Sequence, residues 1–280
     1  MRRRTETAKN AETLQEKRSN DPIGVFDSGV GGLSVLRDIR RELPAEDLFY
    51  VADSGNAPYG DRSREFIETR SLAIVQFLAA QGAKAIVVAC NTATGVAIKE
   101  LRARFSLPIV GMEPAVKPAA SSTKSGVIGV LATSQTVASE KFVKLVDGFR
   151  DDVKVLIQPC PGLAEQVEKG ATAASETAAL VERYVRPLVA QGADTIVLGC
   201  THYHFLRAPI EAAAGPGVQI VDPQSAIARQ LRRRLDEQDL LSTRSSPGSE
   251  RFWTSAPIDT ARPIMARLWS EGINVERLTV

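Results

Sequence analysis

No run of about 18 apolar residues occurs in the 280-residue chain, so no segment is built to span a bilayer as a helix. The N-terminus, MRRRTETAKNAETLQEKRSN, starts basic but has no apolar stretch behind it, which argues against secretion and for a cytoplasmic protein. Cysteine is scarce: Cys90, Cys160 and Cys200 cannot all pair and none belongs to a CxxC, so no disulfide framework is expected. An excess of one charge is also missing. The first twenty residues hold six Lys/Arg and three Glu, which leaves 29 basic against 30 acidic groups in residues 21–280. A nucleic-acid binder would concentrate basic side chains on one face. The one comparable cluster, Arg232–Arg234 in RQLRRRL, reads as the solvated face of a helix, so no nucleic acid is expected as a partner.

What is present is alternation. From Pro22 onward, short apolar runs are followed by longer amphipathic ones, the pattern of strands feeding helices in a parallel sheet. IGVFD, LFYVAD, AIVVAC and PIVGM read as one set of strands, and GVIGVL, VKVLIQ, TIVLGC and VQIVD as a second. Between them, Phe66, Ile67, Ile74, Phe77 and Leu78 fall on one helical face. After Asp222 the pattern predicts a helix, a polar loop STRSSPGSE, a strand RFWTS and an amphipathic helix around Ile264 to Trp269 that can return to the first half.

The two sets resemble each other. QGAKAIVVACNT at residues 81–92 and QGADTIVLGCTH at residues 191–202 share six of twelve positions, the cysteine among them. IGV recurs at 23–25 and 128–130, and IV with a following proline at 109–114 and 220–223. The offsets of 105, 110 and 111 keep the same order, which implies two homologous α/β halves, each with a strand that ends in cysteine.

In open parallel sheets, functional groups gather at the carboxyl ends of the strands. Cys90 and Cys200 both sit there, each followed by groups able to cap a helix: Asn91 and Thr92, Thr201 and His202. A thiol at a helix N-terminus is expected to favour the thiolate. Two such thiols facing each other about a pseudo-twofold would address one carbon from opposite sides, the requirement for inverting a stereocentre. DSGVGG at residues 27–32 follows a strand and opens a helix, with glycines that let the backbone approach a ligand; it is not GxGxxG, and no Walker lysine follows. Asp27 and Asp53 end strands beside Cys90, where a carboxylate would hold an ammonium group, and Tyr59 and Gly60 in ADSGNAPYG add a pocket wall.

Taken together, IGVFDSGVGGLSVL, YVADSGNAPYG, VVACNTATG, GVIGVLATSQTV, LGCTHYHFL and IVDPQSAIA resemble the glutamate racemase family, in family order from Pro22 almost to the end of the chain. The resemblance implies two pseudo-symmetric flavodoxin-like α/β domains with mainly parallel sheets and an active site at the domain interface. The first domain would comprise residues 21–114 and 224–280, the second residues 115–223, and residues 1–20 a disordered basic tail. It implies Cys90 and Cys200 as the two acid/base thiols, with Asp27, Asp53, Glu168 and His202 as auxiliary catalytic groups; in CPGLAEQVE, Glu165 is the competing choice for Glu168. Asp27, Ser28, Tyr59, Gly60, Asn91, Thr92, Thr201 and His202 would hold glutamate. The reaction would need no cofactor and no metal. The implied role is supply of D-glutamate for peptidoglycan, and a homodimer is open. His204 departs from the family's usual proline. Two other readings stand beside this one: a racemase of another acidic amino acid such as aspartate, and a two-domain protein that clamps a small anion without turnover.

Overall fold

The computed structural model describes residues 18–149 and 153–280. Residues 1–17 of the expected tail lie outside the described residues. Ser19 and Asn20, assigned to the same tail, are instead packed. Lys84 and Glu46 form a buried ion pair, the Lys84 ammonium also donates to the Ser19 carbonyl, and Asn20 Oδ1 accepts from Ser242 Oγ at 2.9 Å. A buried ammonium needs acceptors for its protons, and the Ser19 carbonyl supplies one.

Among the described residues, ten strands form two sheets, with every pairing parallel. β1 (Ile23–Asp27), β2 (Leu48–Ala52), β3 (Ala85–Val88), β4 (Ile109–Gly111), β5 (Val127–Ala132), β6 (Lys154–Pro159), β7 (Thr195–Leu198), β8 (Gln219–Val221), β9 (Glu250–Thr254) and β10 (Val275–Arg277) follow in chain order. One sheet runs β10-β9-β2-β1-β3-β4 and the other β6-β5-β7-β8. The second therefore repeats the 2-1-3-4 order of the first, the arrangement of flavodoxin-like sheets. Register repeats as well: Ile23 pairs with Ala85 and Ile128 with Thr195, while Ile86 pairs with Ile109 and Ile196 with Ile220. These are the sequence offsets of the duplication, so both cysteines leave equivalent ladder positions.

The repeated QGA has a local cause. Helices Arg64–Ala80 and Ser175–Ala190 both end at a glutamine followed by a left-handed glycine, Gly82 at φ 89° and Gly192 at φ 94°. Gly82 N donates to the Ala79 carbonyl and Ala83 N to that of Leu78; Gly192 and Ala193 do the same to Val189 and Leu188. This paired-bond stop satisfies the last carbonyls of a helix and turns the chain into the next strand. A side chain in place of either glycine would be strained by that φ.

Helix Arg64–Ala80 starts at Ser63, whose hydroxyl accepts from Phe66 N at 3.2 Å. Of its predicted apolar face, Ile67, Ile74 and Leu78 are buried, while Phe66 and Phe77 are half-buried at its margin, Phe77 standing edge-on to Trp253. Helix Gln224–Asp236 lies on helix Leu33–Glu42, and Gln224 Nε2 donates to Ser34 Oγ at 2.7 Å. Arg233 and Arg234 face Glu237, and Arg232 reaches the Glu42 carbonyl, the solvated basic face expected of RQLRRRL. β9 and β10 extend the first sheet; β10, too short for an alternating pattern, went unrecognised in the sequence.

Among the described residues, one apolar cluster crosses between the halves, joining Val30, Leu33 and Leu36 to Leu131, Leu163, Leu206 and Leu231. Each leucine buried there contributes about 2 kcal/mol. The carboxyl ends of β1, β3, β5 and β7 point into this seam.

Candidate active site

Asp27, the last residue of β1, is wholly buried. Its Oδ2 accepts from Gly32 N at 2.9 Å and Gly29 N at 3.3 Å, and Thr201 Oγ1 donates to Oδ1 at 3.4 Å across the seam. Burial dominates and raises its pKa from 3.8 to about 6, against the pull of His202 and with a further push from Glu168. The glycines after it are not a phosphate loop. A Cβ on Gly29 would collide with the Glu168 carboxylate, and one on Gly31 with the His202 ring and the Thr201 hydroxyl. The loop is bare so that the second half can reach its backbone. Val30 N donates to Glu168 Oε1 at 2.7 Å, and Tyr50 OH braces the loop through the Gly29 carbonyl at 2.7 Å.

Cys90 follows β3 and caps helix Asn91–Arg104, its Sγ accepting from Ala93 N at 3.4 Å and lying 3.6 Å from Ser28 Oγ. The thiolate expected of such a cap is not favoured. Burial, reinforced by the Asp27 charge, pushes the Cys90 thiol well above the ordinary range and outweighs the amide and Ser28. Cys200 lacks the equivalent helix: after β7 the chain enters a 3-10 turn, Thr201–Leu206, before helix Arg207–Ala214. Its sulfur lies 3.7 Å from His202 Nδ1, and His202 Nε2 meets Glu168 Oε1 at 2.5 Å. Burial opposes a charged ring, yet the bonds to Cys200 and Glu168 lift the His202 pKa well above its ordinary value. The ring with this raised pKa stands beside the Cys200 sulfur, where the helix terminus is missing. Cys200 is near enough across the seam to be the last and smallest of the influences that raise Cys90.

Of the two candidate glutamates, Glu168 makes the contact to His202 and also accepts from Ser54 Oγ at 2.9 Å. Glu165 lines a small neighbouring cavity with Cys160 and Tyr203. Asp53 is wholly buried at the end of β2, with both oxygens engaged: Tyr59 OH at 2.6 Å and Arg70 Nε at 3.0 Å on Oδ2, Arg70 Nη2 at 2.7 Å and Asn56 Nδ2 at 3.0 Å on Oδ1. Gly60 lies against Thr133, where a Cβ would meet the Thr133 Cβ at 3.0 Å. Asn91 is 4% exposed, yet neither amide atom has a partner among the described residues. Unpaired buried amides are rare and costly.

Thr92 brings in residues that the sequence reading missed. Its hydroxyl lies 2.9 Å from Thr133 Oγ1 and 3.2 Å from Thr136 Oγ1, which are 2.9 Å from each other. This buried triangle spans the seam. Thr133 and Thr136 stood in the block GVIGVLATSQTV, where threonine before a short helix reads only as a cap. Among the described residues, no group of three or more His, Cys, Asp or Glu is arranged to hold a metal ion. Nor is any helix among them long and apolar enough to cross a membrane.

The family profile described as Asp/Glu/Hydantoin racemase matches residues 23–231, which include both cysteines, Asp27, Glu168 and His202. The chain belongs to this racemase family. A glutamate racemase of Methylococcus capsulatus is 56% identical over 248 residues, spanning 89% of this chain and 92% of that protein. The crystal structure of glutamate racemase isoform RacE1 from Bacillus anthracis is similar at a TM-score of 0.85 and 33% identity, over 94% of this chain and 98% of that one. Glutamate racemase from Francisella tularensis in complex with D-glutamate superposes at a TM-score of 0.81 and 27% identity, over 93% and 98% of the two chains. The two-sheet α/β architecture is thus the racemase fold.

Proposed function

We propose that the chain is a glutamate racemase in which Cys90 and Cys200 exchange protons with the two faces of the substrate Cα. The observation that carries this reading is the equivalence of the two sulfurs. They leave matched ladder positions of duplicated sheets and meet one seam, with the Asp27–Thr201 contact between their halves. Relatives named glutamate racemase, one structure of which holds D-glutamate, support the substrate.

Cys90 is held protonated by burial, a proton donor in waiting, and the Cys200 sulfur lies 3.7 Å from the His202 ring. One sulfur removes the Cα proton while the other delivers a proton to the far face, and substrate of opposite hand reverses the roles. Asp27 pairs with the substrate ammonium. Ser28, Asn91, Thr201 and the Thr92–Thr133–Thr136 hydroxyls supply donors for the carboxylates, and the Asn91 amide then gains the partner it lacks. His202, positioned by Glu168, tunes Cys200, while Asp53 holds Tyr59 and Gly60 in place. Preorganised donors in a dry seam stabilise negative charge developing at Cα and its carboxylate.

The thiols are 4% and 8% exposed, so glutamate reaches them only when the seam opens between residues 21–114 with 224–280 and residues 115–223. The product would serve peptidoglycan synthesis in the cytoplasm. The test is to follow the ellipticity of L- and D-glutamate with wild type, Cys90→Ser and Cys200→Ser and no added cofactor. Serine is a far weaker acid, so each variant should lose about 10²–10⁴-fold in turnover. Wild-type rates in either folded variant would refute the assignment.

A further inference from the structure

Arg70 stands outside every sequence motif quoted above, in the middle of helix Arg64–Ala80, yet all three of its guanidinium nitrogens are hydrogen-bonded, two of them to Asp53. Its Nε and Nη2 grip both oxygens of Asp53 at 3.0 and 2.7 Å, and its Nη1 reaches the Val280 carbonyl at 2.9 Å. The pair is sheltered, with side-chain exposures of 15% and 0%. A planar fork bonded to both carboxylate oxygens fixes orientation as well as charge.

What the fork fixes extends to both sulfurs. Asp53 accepts from Tyr59 OH, whose fully buried ring stands edge-on to Phe66 and lies within electrostatic range of Cys90. At the other end of the same loop, Ser54 donates to Glu168, the partner of His202 and so of Cys200. Beside Tyr59, Gly60 abuts Thr133 of the seam triangle. One loop, residues 53–60, therefore touches the Cys90 side, the Cys200 side and the carboxylate-binding hydroxyls, and Asp53 is its anchor.

We propose that Arg70 is a positioning residue of the reaction: by clamping Asp53 it holds loop 53–60 against both thiol sides of the seam. The inference rests on the two-thiol reading above and refines it. Asp53 is then an orienting anion with its oxygens occupied, and the loop transmits its placement to Tyr59 and Ser54. The Arg70→Lys substitution would keep the charge but bond one oxygen, leaving the other to Asn56 or Tyr59 alone and the carboxylate plane less firmly fixed.

The test compares wild type, Arg70→Lys, Asp53→Asn, the double variant and Tyr59→Phe in steady-state racemisation of both glutamate enantiomers, with melting temperatures measured alongside. Arg70→Lys should lose about 10²-fold in kcat with KM little changed, the effect of misplaced reacting groups. Asp53→Asn should lose a similar factor. The double variant should fall no further than the worse single variant, because the two residues act as a unit. Tyr59→Phe, which leaves the ion pair intact, should lower kcat while melting close to wild type, and it carries the test even if Arg70→Lys does not fold. Wild-type kcat in folded Arg70→Lys or in Tyr59→Phe, or multiplying losses in the double variant, would overturn the proposal. A wild-type chain that does not racemise glutamate would instead sink the reading it rests on, so the two failures are distinguishable.

Discussion

Replacing Asp27 by asparagine should make the protein more stable and less active, with a pH dependence that follows from burial. Asp27 ionises near pH 6 in the folded protein, against an ordinary value of 3.8. The folded chain thus holds the Asp27 proton more tightly than the unfolded chain. That stabilisation is complete below about pH 3.8 and is lost as pH rises through about 6, amounting to about 3 kcal/mol by neutral pH. The substituted amide would keep an oxygen for the Gly29 and Gly32 N–H groups but never ionise. Urea unfolding should therefore show Asp27→Asn about 3 kcal/mol more stable than wild type at about pH 7.5, with the gap closing towards about pH 4. Racemisation should fall in the same variant, since the proposed ammonium partner has lost its charge. A gap that is absent at neutral pH, or equal at both pH values, would refute the claim that the carboxylate is ionised at a cost the site exploits.

The bare glycine loop should tolerate no side chain: Gly31→Ala, whose methyl would collide with His202, should separate the halves and lose about 10²-fold in turnover, checked by racemisation and by small-angle scattering. Glu168→Gln should weaken the hold on the His202 proton, so that turnover is lost at lower pH than in wild type, whereas Glu165→Gln should keep the wild-type pH profile; a matched pair of profiles decides between them. Thr133→Val, which breaks the hydroxyl triangle without changing volume, should raise KM for glutamate, with a stability cost of about 1–2 kcal/mol read from thermal melts.

Much of the architecture was legible because its causes are local. The QGA stop, the strand that follows it and the terminal cysteine form one continuous stretch, and the same stretch occurs twice at matched register. The glycines of DSGVGG were legible as a demand for close approach, although what approaches is Glu168 and His202 rather than a phosphate. Features set by distant residues were not legible. The protonation of Cys90 depends on how completely the seam buries it, a property of both halves together. Arg70 meets Asp53 seventeen residues away on another element, and Thr133 meets Thr92 across the seam, so neither contact leaves a spacing signature. Cys200 looked like a helix cap because Thr201 and His202 are capping residues; tertiary contacts to Glu168 and Asp27 hold that segment in a 3-10 turn instead.

The most direct measurement of opposed proton transfer is deuterium placement during the first turnovers in heavy water. With two thiols acting from opposite faces, the product enantiomer should carry deuterium at Cα from the outset, while unreacted substrate of the starting hand keeps its protium. Equal deuterium in substrate and product, or product that retains the original hydrogen, would mean that a single base serves both faces and would contradict the account.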